Sequence, residues 1–233
     1  MTREIPPVVP ASAAARQDGT AATCVTLGGM RGASSTALAT LALVLPLVAT
    51  ACGGDQPLPY AEQIRQHRAA KDAAFASDSP ESPVPTAERR RFLPLAYFPI
   101  DELYHVPARL VPAPGGDGIE MPTSSGQRRK MRRAGQLRFS VKGTALALTA
   151  FVEADDQVMN RLFVPFGDPT NGTETYIGGR YLDLDRTPTG LYDLDFNRAY
   201  HPYCVYNPQY DCPYPPRENR LASPIRSGER LKR

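Results

Sequence analysis

Between residues 60 and 76 the chain reads YAEQIRQHRAAKDAAFA, and Tyr60, Ile64, Lys71 and Phe75 recur at helical spacing with Ala-rich turns between them. That period predicts one amphipathic helix over 60–76, entered through Pro59, a residue that the start of a helix tolerates. Ser and Pro in the stretch DSPESPVP, residues 78–85, end it. Beyond this point short alternating or apolar runs are broken repeatedly by Pro and Gly, and no second long helix is predicted. The runs predict strands at 108–111, 119–123, 136–141, 144–153 and 161–165, with weaker ones at 175–177, 180–184 and 190–196. Turn signals separate them: APGGDG at 113–118, Gly135, Lys142-Gly143 and GDPTNGT at 167–173. Many short strands with regular turns predict a mainly β fold, an antiparallel β-barrel or sandwich with one N-terminal amphipathic helix. From Arg198 onward an irregular Pro/Tyr-rich C-terminal segment is expected.

The N-terminal part has a different texture. Residues 36–51, TALATLALVLPLVATA, carry no charge. A membrane-spanning helix needs about 20 apolar residues; this run is shorter and contains Pro46, so it reads as the apolar region of a secretory signal. Arg31 supplies the positive flank, and the small residues Ala49, Thr50 and Ala51 stand before Cys52. Small residues before such a Cys match a bacterial lipoprotein signal, in which the Cys becomes the lipidated N-terminus; an ordinary cleaved signal is the alternative. Residues 1–29 sit awkwardly ahead of a signal, which makes Met30 a second candidate for the true start. The expected organisation is therefore an upstream extension over 1–29, a signal peptide over 30–51, a tether over 52–59 and a single domain over 60–233. It places the protein in the bacterial cell envelope, at the membrane through its lipid.

Composition refines this reading. With 27 Lys+Arg against 24 Asp+Glu the formal net charge is only +3, so nucleic acid is not expected as a partner. Once Cys52 is set aside for the lipid and Cys24 falls upstream, Cys204 and Cys212 remain as a pair in an oxidising compartment, and a disulfide is the first reading. A metal site of His201, Cys204, Cys212 and Asp211 is the rival, although the tight Cys spacing of a structural zinc site is missing. Eight of the eleven Tyr residues fall within 176–214.

Several features carry candidate chemistry beside a plainer explanation. In the basic run QRRKMRR at 127–133 both faces of a strand would be charged, so a buried sheet face is not expected there. The run offers either an anion-binding patch or a solvated hairpin whose Arg stems cover apolar surface. Asn171-Gly172-Thr173 matches a glycosylation acceptor, read here as chance. Gly178-Gly179 suits a positive φ or a close backbone approach and has no phosphate-loop spacing. Three His residues and no GxSxG turn leave little for a catalytic triad. The carboxylate pairs Asp183/Asp185 and Asp193/Asp195 either split their pKa values for acid–base work or are strand-end charges.

A resemblance follows from the longer motifs. SPVP at 82–85, YFPID at 97–101, TSSGQRRKMRRAGQLRFSVKG at 123–143, LFVPFGDPTNGTETYIGGRYLDL at 162–184, DFNRAYHPYCVYNPQYDCPYPPRENRL at 195–221 and IRSGERL at 225–231 together resemble the domain of unknown function 1684 family. The resemblance covers roughly residues 60–231 of this chain, and the family it points to comprises bacterial and archaeal proteins of about this length. His201 stands where the family pattern has Asn, and Gly167 where Ser or Thr is common. The resemblance brings no activity, cofactor or catalytic residue with it.

On these grounds the expected function is a non-enzymatic module for a small-molecule or anionic ligand. The density of Tyr, Arg and carboxamide groups on a β scaffold nominates Glu174, Tyr176, Arg180, Tyr181, Asp195, Asn197, Arg198, Tyr200, Asn219 and Arg220 as the binding surface. The same residues also suit an internal hydrogen-bond network that holds the tail on the barrel. A hydrolase using Glu174 or Asp195 as base is the alternative, and a purely structural or partner-binding envelope protein is the third. No cofactor is specified.

Overall fold

The computed structural model describes residues 57–113, 118–156, 161–189 and 191–232. The expected extension, signal peptide and Cys52 lie outside the described residues. The first element is helix α1, Tyr60–Ala76, whose buried residues are Ile64, Lys71 and Phe75 as the period requires. Pro59 is its N-cap. A short helix α2, Arg89–Phe92, follows a single 3-10 turn at Thr86–Glu88.

The strands are β1 (Ala96–Tyr97), β2 (His105–Pro112), β3 (Gly118–Pro122), β4 (Arg128–Val141), β5 (Thr144–Glu153), β6 (Arg161–Phe166), β7 (Arg180–Asp185), β8 (Tyr192–Asp195) and β9 (Glu229–Arg230). Seven of them form one antiparallel sheet in the order β7-β6-β5-β4-β2-β8, with β3 on the first half of β4. An antiparallel bridge between Arg186 and Tyr192 joins β7 to β8, so the sheet is a nearly closed barrel. β1 and β9 make a separate two-stranded ribbon.

Alternation along the strands sorts the side chains onto two faces. Leu137, Phe139, Leu148, Ala150, Leu162, Val164, Phe166, Leu182, Leu184 and Leu194 fill the interior together with Phe196. The opposite face is also covered. Tyr181 of β7 joins Tyr203, Tyr206, Tyr210 and Cys212 from the tail and Phe75 from α1 in a second cluster. The Pro/Tyr-rich segment is therefore the outer layer over one side of the barrel. Its Tyr rings meet mainly edge-to-face, as in the Phe75–Tyr203, Phe75–Tyr206 and Tyr203–Tyr210 pairs at 5.3–5.8 Å.

Two expectations need correction. β4 starts at Arg128, eight residues before the predicted strand, and takes in the basic run. Met131 is buried there against Met121 and Phe151, while Arg129 and Arg133 beside it reach Glu153 at 2.6 Å and Glu218 at 3.0 Å. One apolar residue is enough to bury that face because the flanking guanidiniums are carried out to acids at its edge. The segment 175–177 is not a strand. Asp168 Oδ1 accepts from the Thr170 amide at 2.9 Å and Asn171 Oδ1 from the Asp168 amide at 2.7 Å, which curls the chain into successive turns instead.

Candidate functional site

Most of the nominated polar residues are consumed by the fold. Arg180, at the start of β7, has no exposed surface. Its Nη1 donates to the Ser227 and Glu229 carbonyls, and its Nη2 to Asp168 Oδ2 at 3.0 Å and the Ile225 carbonyl at 2.6 Å. One guanidinium thus ties the closing IRSGERL segment to the barrel rim. The backbone there has no room for side chains: Gly179 has φ +89°, and a Cβ on it would lie 2.5 Å from the Phe166 carbonyl oxygen. A Cβ on Gly228, φ +79°, would lie 2.5 Å from the Ala199 oxygen.

A second network joins α1 to the end of β8. Asp195 accepts from the Tyr60 hydroxyl and the Asn197 amide, both at 2.9 Å, and from Arg198 Nε at 3.2 Å. Buried Asn197 donates to Tyr60 Oη and to the Asp101 carbonyl, both at 2.8 Å. A third lies beneath α1. Lys71 Nζ meets Glu229 at 2.5 Å with both side chains buried, and Glu229 also accepts from the His201 amide at 2.7 Å and the Tyr206 hydroxyl at 2.8 Å. The Lys71 charge and these hydrogen bonds hold the Glu229 carboxyl below its ordinary range, against the desolvation that would raise it. Burial pushes His201 down to about 4, which suits a neutral ring whose Nε2 accepts from the Tyr176 amide at 3.2 Å.

The remaining nominated residues are scattered. Tyr181 donates to the Pro213 carbonyl, and Tyr200 to Asp183 Oδ2 at 2.8 Å. Burial raises the Asp183 carboxyl above its ordinary value. Asn219 bonds the backbone of β5 and β6, and Glu174 pairs with Arg226 at 2.9 Å. Arg220 is exposed and lines a recess of about 300 Å³ with Gly167, Asn171, Ile177, Gly178, Gly179, Tyr214 and Pro215. Arg180, Tyr181, Asp195, Asn197 and Asn219 have almost no accessible surface to present to a ligand.

Cys204 and Cys212 are adjacent free thiols, with the Cys204 amide donating to Cys212 Sγ at 3.2 Å. Among the described residues no three His, Cys, Asp or Glu side chains are grouped to hold a metal ion, and no helix is long and apolar enough to cross a membrane.

A larger opening lies where α1 meets the β1–β9 ribbon. This cleft of about 620 Å³ is lined by Arg68, Tyr97, Phe98, Pro99, Glu174 and Arg230. Arg68 Nη1 donates to the Phe98 carbonyl at 3.1 Å and its guanidinium stacks 4.5 Å from the Tyr97 ring. Arg230 Nε donates to the Tyr97 carbonyl at 3.2 Å. Only Glu174 of these six was nominated from the sequence. The available signal was Arg68 itself, a second cation on the buried stripe of α1 between Ile64 and Lys71.

A helix-capped antiparallel barrel with a cationic cleft beside its C-terminal ribbon is the class these observations define. The family model described as Protein of unknown function (DUF1684) matches residues 90–230, and the chain belongs to that family. Its fold is similar to the solution NMR structure of an uncharacterized protein of Haloarcula marismortui, at 36% identity and a TM-score of 0.58 over 73% of this chain and 93% of that one. No curated protein matches the sequence.

Proposed function

We propose that this chain is a non-enzymatic binding domain of the bacterial cell envelope, held at the membrane by a lipid on Cys52, with a small ligand seated in the cleft between α1 and the β1–β9 ribbon. The cleft carries this reading. At about 620 Å³ it has the size of a small-molecule site, and it combines aromatic walls with a few convergent charges. The carboxylates that a hydrolase would need as bases are engaged elsewhere: Glu174 by Arg226, and Asp195 by Tyr60, Asn197 and Arg198.

The test uses the full chain expressed in a bacterium. Membrane fractionation with Cys52→Ser checks the anchor: the native chain sediments with membranes and the variant is released, whereas equal partition of both removes the lipid from the proposal. A panel of neutral, cationic and anionic small molecules, read by melting temperature and by native mass spectrometry, checks binding. At least one class raises the melting temperature in proportion to its concentration; a panel in which none does so overturns the binding role.

A further inference from the structure

The cleft contains one cation most of whose binding capacity is unused. Arg68 spends Nη1 on the Phe98 carbonyl, but its Nε and Nη2 are buried with no hydrogen-bond partner. Those two nitrogens lie along one edge of the guanidinium and point their N–H bonds in parallel, the geometry that accepts both oxygens of a carboxylate at once. The Tyr97 hydroxyl, on the aromatic ring stacked against this guanidinium, is likewise buried without a partner. Native proteins rarely leave such groups unsatisfied, because each costs free energy in the free protein. Desolvation lowers the Arg68 pKa accordingly. Among the described residues neither Arg68 nor Arg230 forms an ion pair with a carboxylate, whereas Glu174 across the cleft is paired with Arg226.

We infer that the cleft recognises an organic monocarboxylate, whose two oxygens dock on the Nε–Nη2 edge of Arg68 and whose apolar body lies against Tyr97, Phe98 and Pro99. This rests on the reading of the cleft as a ligand site. Glu174 on the cleft wall is already neutralised by Arg226, so Arg68 and Arg230 carry the charge left for the ligand, and the single two-pronged edge of Arg68 matches one carboxylate. Arg230 and the Tyr97 hydroxyl complete the polar end. The free edge has no contact with solvent in the unliganded protein, so the side chains packed against it shift when the carboxylate docks. Lysine at position 68 would keep the charge but lose the two-pronged edge.

Benzoate is the probe, with benzamide as its neutral isostere and inorganic phosphate as the competing oxyanion, titrated calorimetrically into the full chain. Benzoate binds at least tenfold more tightly than benzamide and more tightly than phosphate. Arg68→Lys weakens benzoate at least tenfold, and Arg230→Lys by a smaller factor. Tyr97→Phe weakens it severalfold yet leaves the melting temperature of the unliganded protein unchanged or raised, because it deletes a buried hydroxyl that has no partner; a purely structural Tyr97 would lower it. Equal affinity of benzoate and benzamide, tighter binding of phosphate, or full affinity in Arg68→Lys overturns the inference. If Arg68→Lys does not fold, Tyr97→Phe and Arg230→Lys decide. Should the broader panel yield a neutral or cationic ligand but no carboxylate, the carboxylate assignment falls and the binding role stands; should nothing bind, both fall.

Discussion

The side-chain amide of Asn219 pairs with the backbone of Thr149 as a neighbouring strand would. Its Oδ1 accepts from the Thr149 N–H at 2.7 Å and its Nδ2 donates to the Thr149 carbonyl at 2.8 Å, then bridges to the Pro165 carbonyl at 2.7 Å. β5 and β6 are in register only at Phe151–Phe163, so the strands part below that point and the tail fills the opening. Gly167 and the backbone of 219–221 continue the ladder, with Gly167 N–H donating to the Asn219 carbonyl at 3.0 Å and Leu221 N–H to the Gly167 carbonyl at 2.8 Å. Asn219→Leu removes a donor and an acceptor at once and strands three backbone groups. The expected cost is about 2–4 kcal/mol, measured by urea unfolding. Asn219→Asp is at least as damaging, since a carboxylate would face two carbonyls. A loss below about 0.5 kcal/mol for Asn219→Leu would show that water takes over the amide's role.

Lys71 and Glu229 form a second long-range tie, 158 residues apart in sequence. Breaking a buried pair from one side costs about 3–5 kcal/mol because it leaves a charge without its partner. Lys71→Met should fall in that range. Glu229→Ala should cost more, because it strands Lys71, the His201 amide and the Tyr206 hydroxyl together. If the double variant Lys71→Met/Glu229→Leu is at least as stable as the native chain, the pair specifies the seat of α1 rather than adding net stability. Chemical denaturation of all three gives the coupling directly.

Buried His201 and half-buried His67 make acid sensitivity begin before the carboxylates titrate. Burial lowers both His201 and His67 to about 4, whereas an unfolded chain holds them near about 6.5. Below that pH the unfolded state takes up protons that the folded state refuses, so stability falls as pH drops from about 6.5 toward 4. The depressed Glu229 adds to the loss only at lower pH: its stabilisation is present above its unfolded value and disappears as pH falls through its folded one. His201 alone accounts for about 3 kcal/mol at the acid end. In His201→Gln the slope of stability between pH 6.5 and 4 should therefore shrink by about 1.4 kcal/mol per pH unit. An unchanged slope would mean that His201 stays protonated in the fold.

What could be read from the sequence was whatever local period controls. Ile64, Lys71 and Phe75 mark the buried stripe of α1, and alternation marks β5, because each depends on neighbours a few residues away. Met131 was hidden because the charges around it make both faces look solvated, and only Glu153 and Glu218, from other parts of the chain, show where those charges go. The candidate site shows the same division. The dense polar residues of 174–220 were visible, but composition cannot distinguish a group with partners from one without. Asn219 is saturated and Arg180 spends both terminal nitrogens on carbonyls and Asp168, with only Nε left over, while Arg68 lies in the helix with two of its three nitrogens unspent. That difference exists only in three dimensions.

The thiol pair remains chemically poised whichever function the cleft serves. Cys212 donates its S–H toward Cys204, and Ser124 and Tyr176 add further hydrogen bonds, which bring the Cys204 thiol down to about 7. Its partner moves up, since losing the shared proton would place a second negative charge beside the first. In the reduced full chain Cys204 should therefore react with iodoacetamide well before Cys212, at a rate that climbs through about pH 7 and then levels. We propose that in an oxidising compartment the two close a disulfide, which would tie a short loop of the tail and add about 2–3 kcal/mol. Peptide mass mapping after alkylation resolves both points. Equal labelling rates at the two positions would remove the shared proton. Free thiols in protein recovered from an oxidising compartment would remove the disulfide, leaving the tail held by its aromatic packing and by Arg180, Asn219 and Glu229.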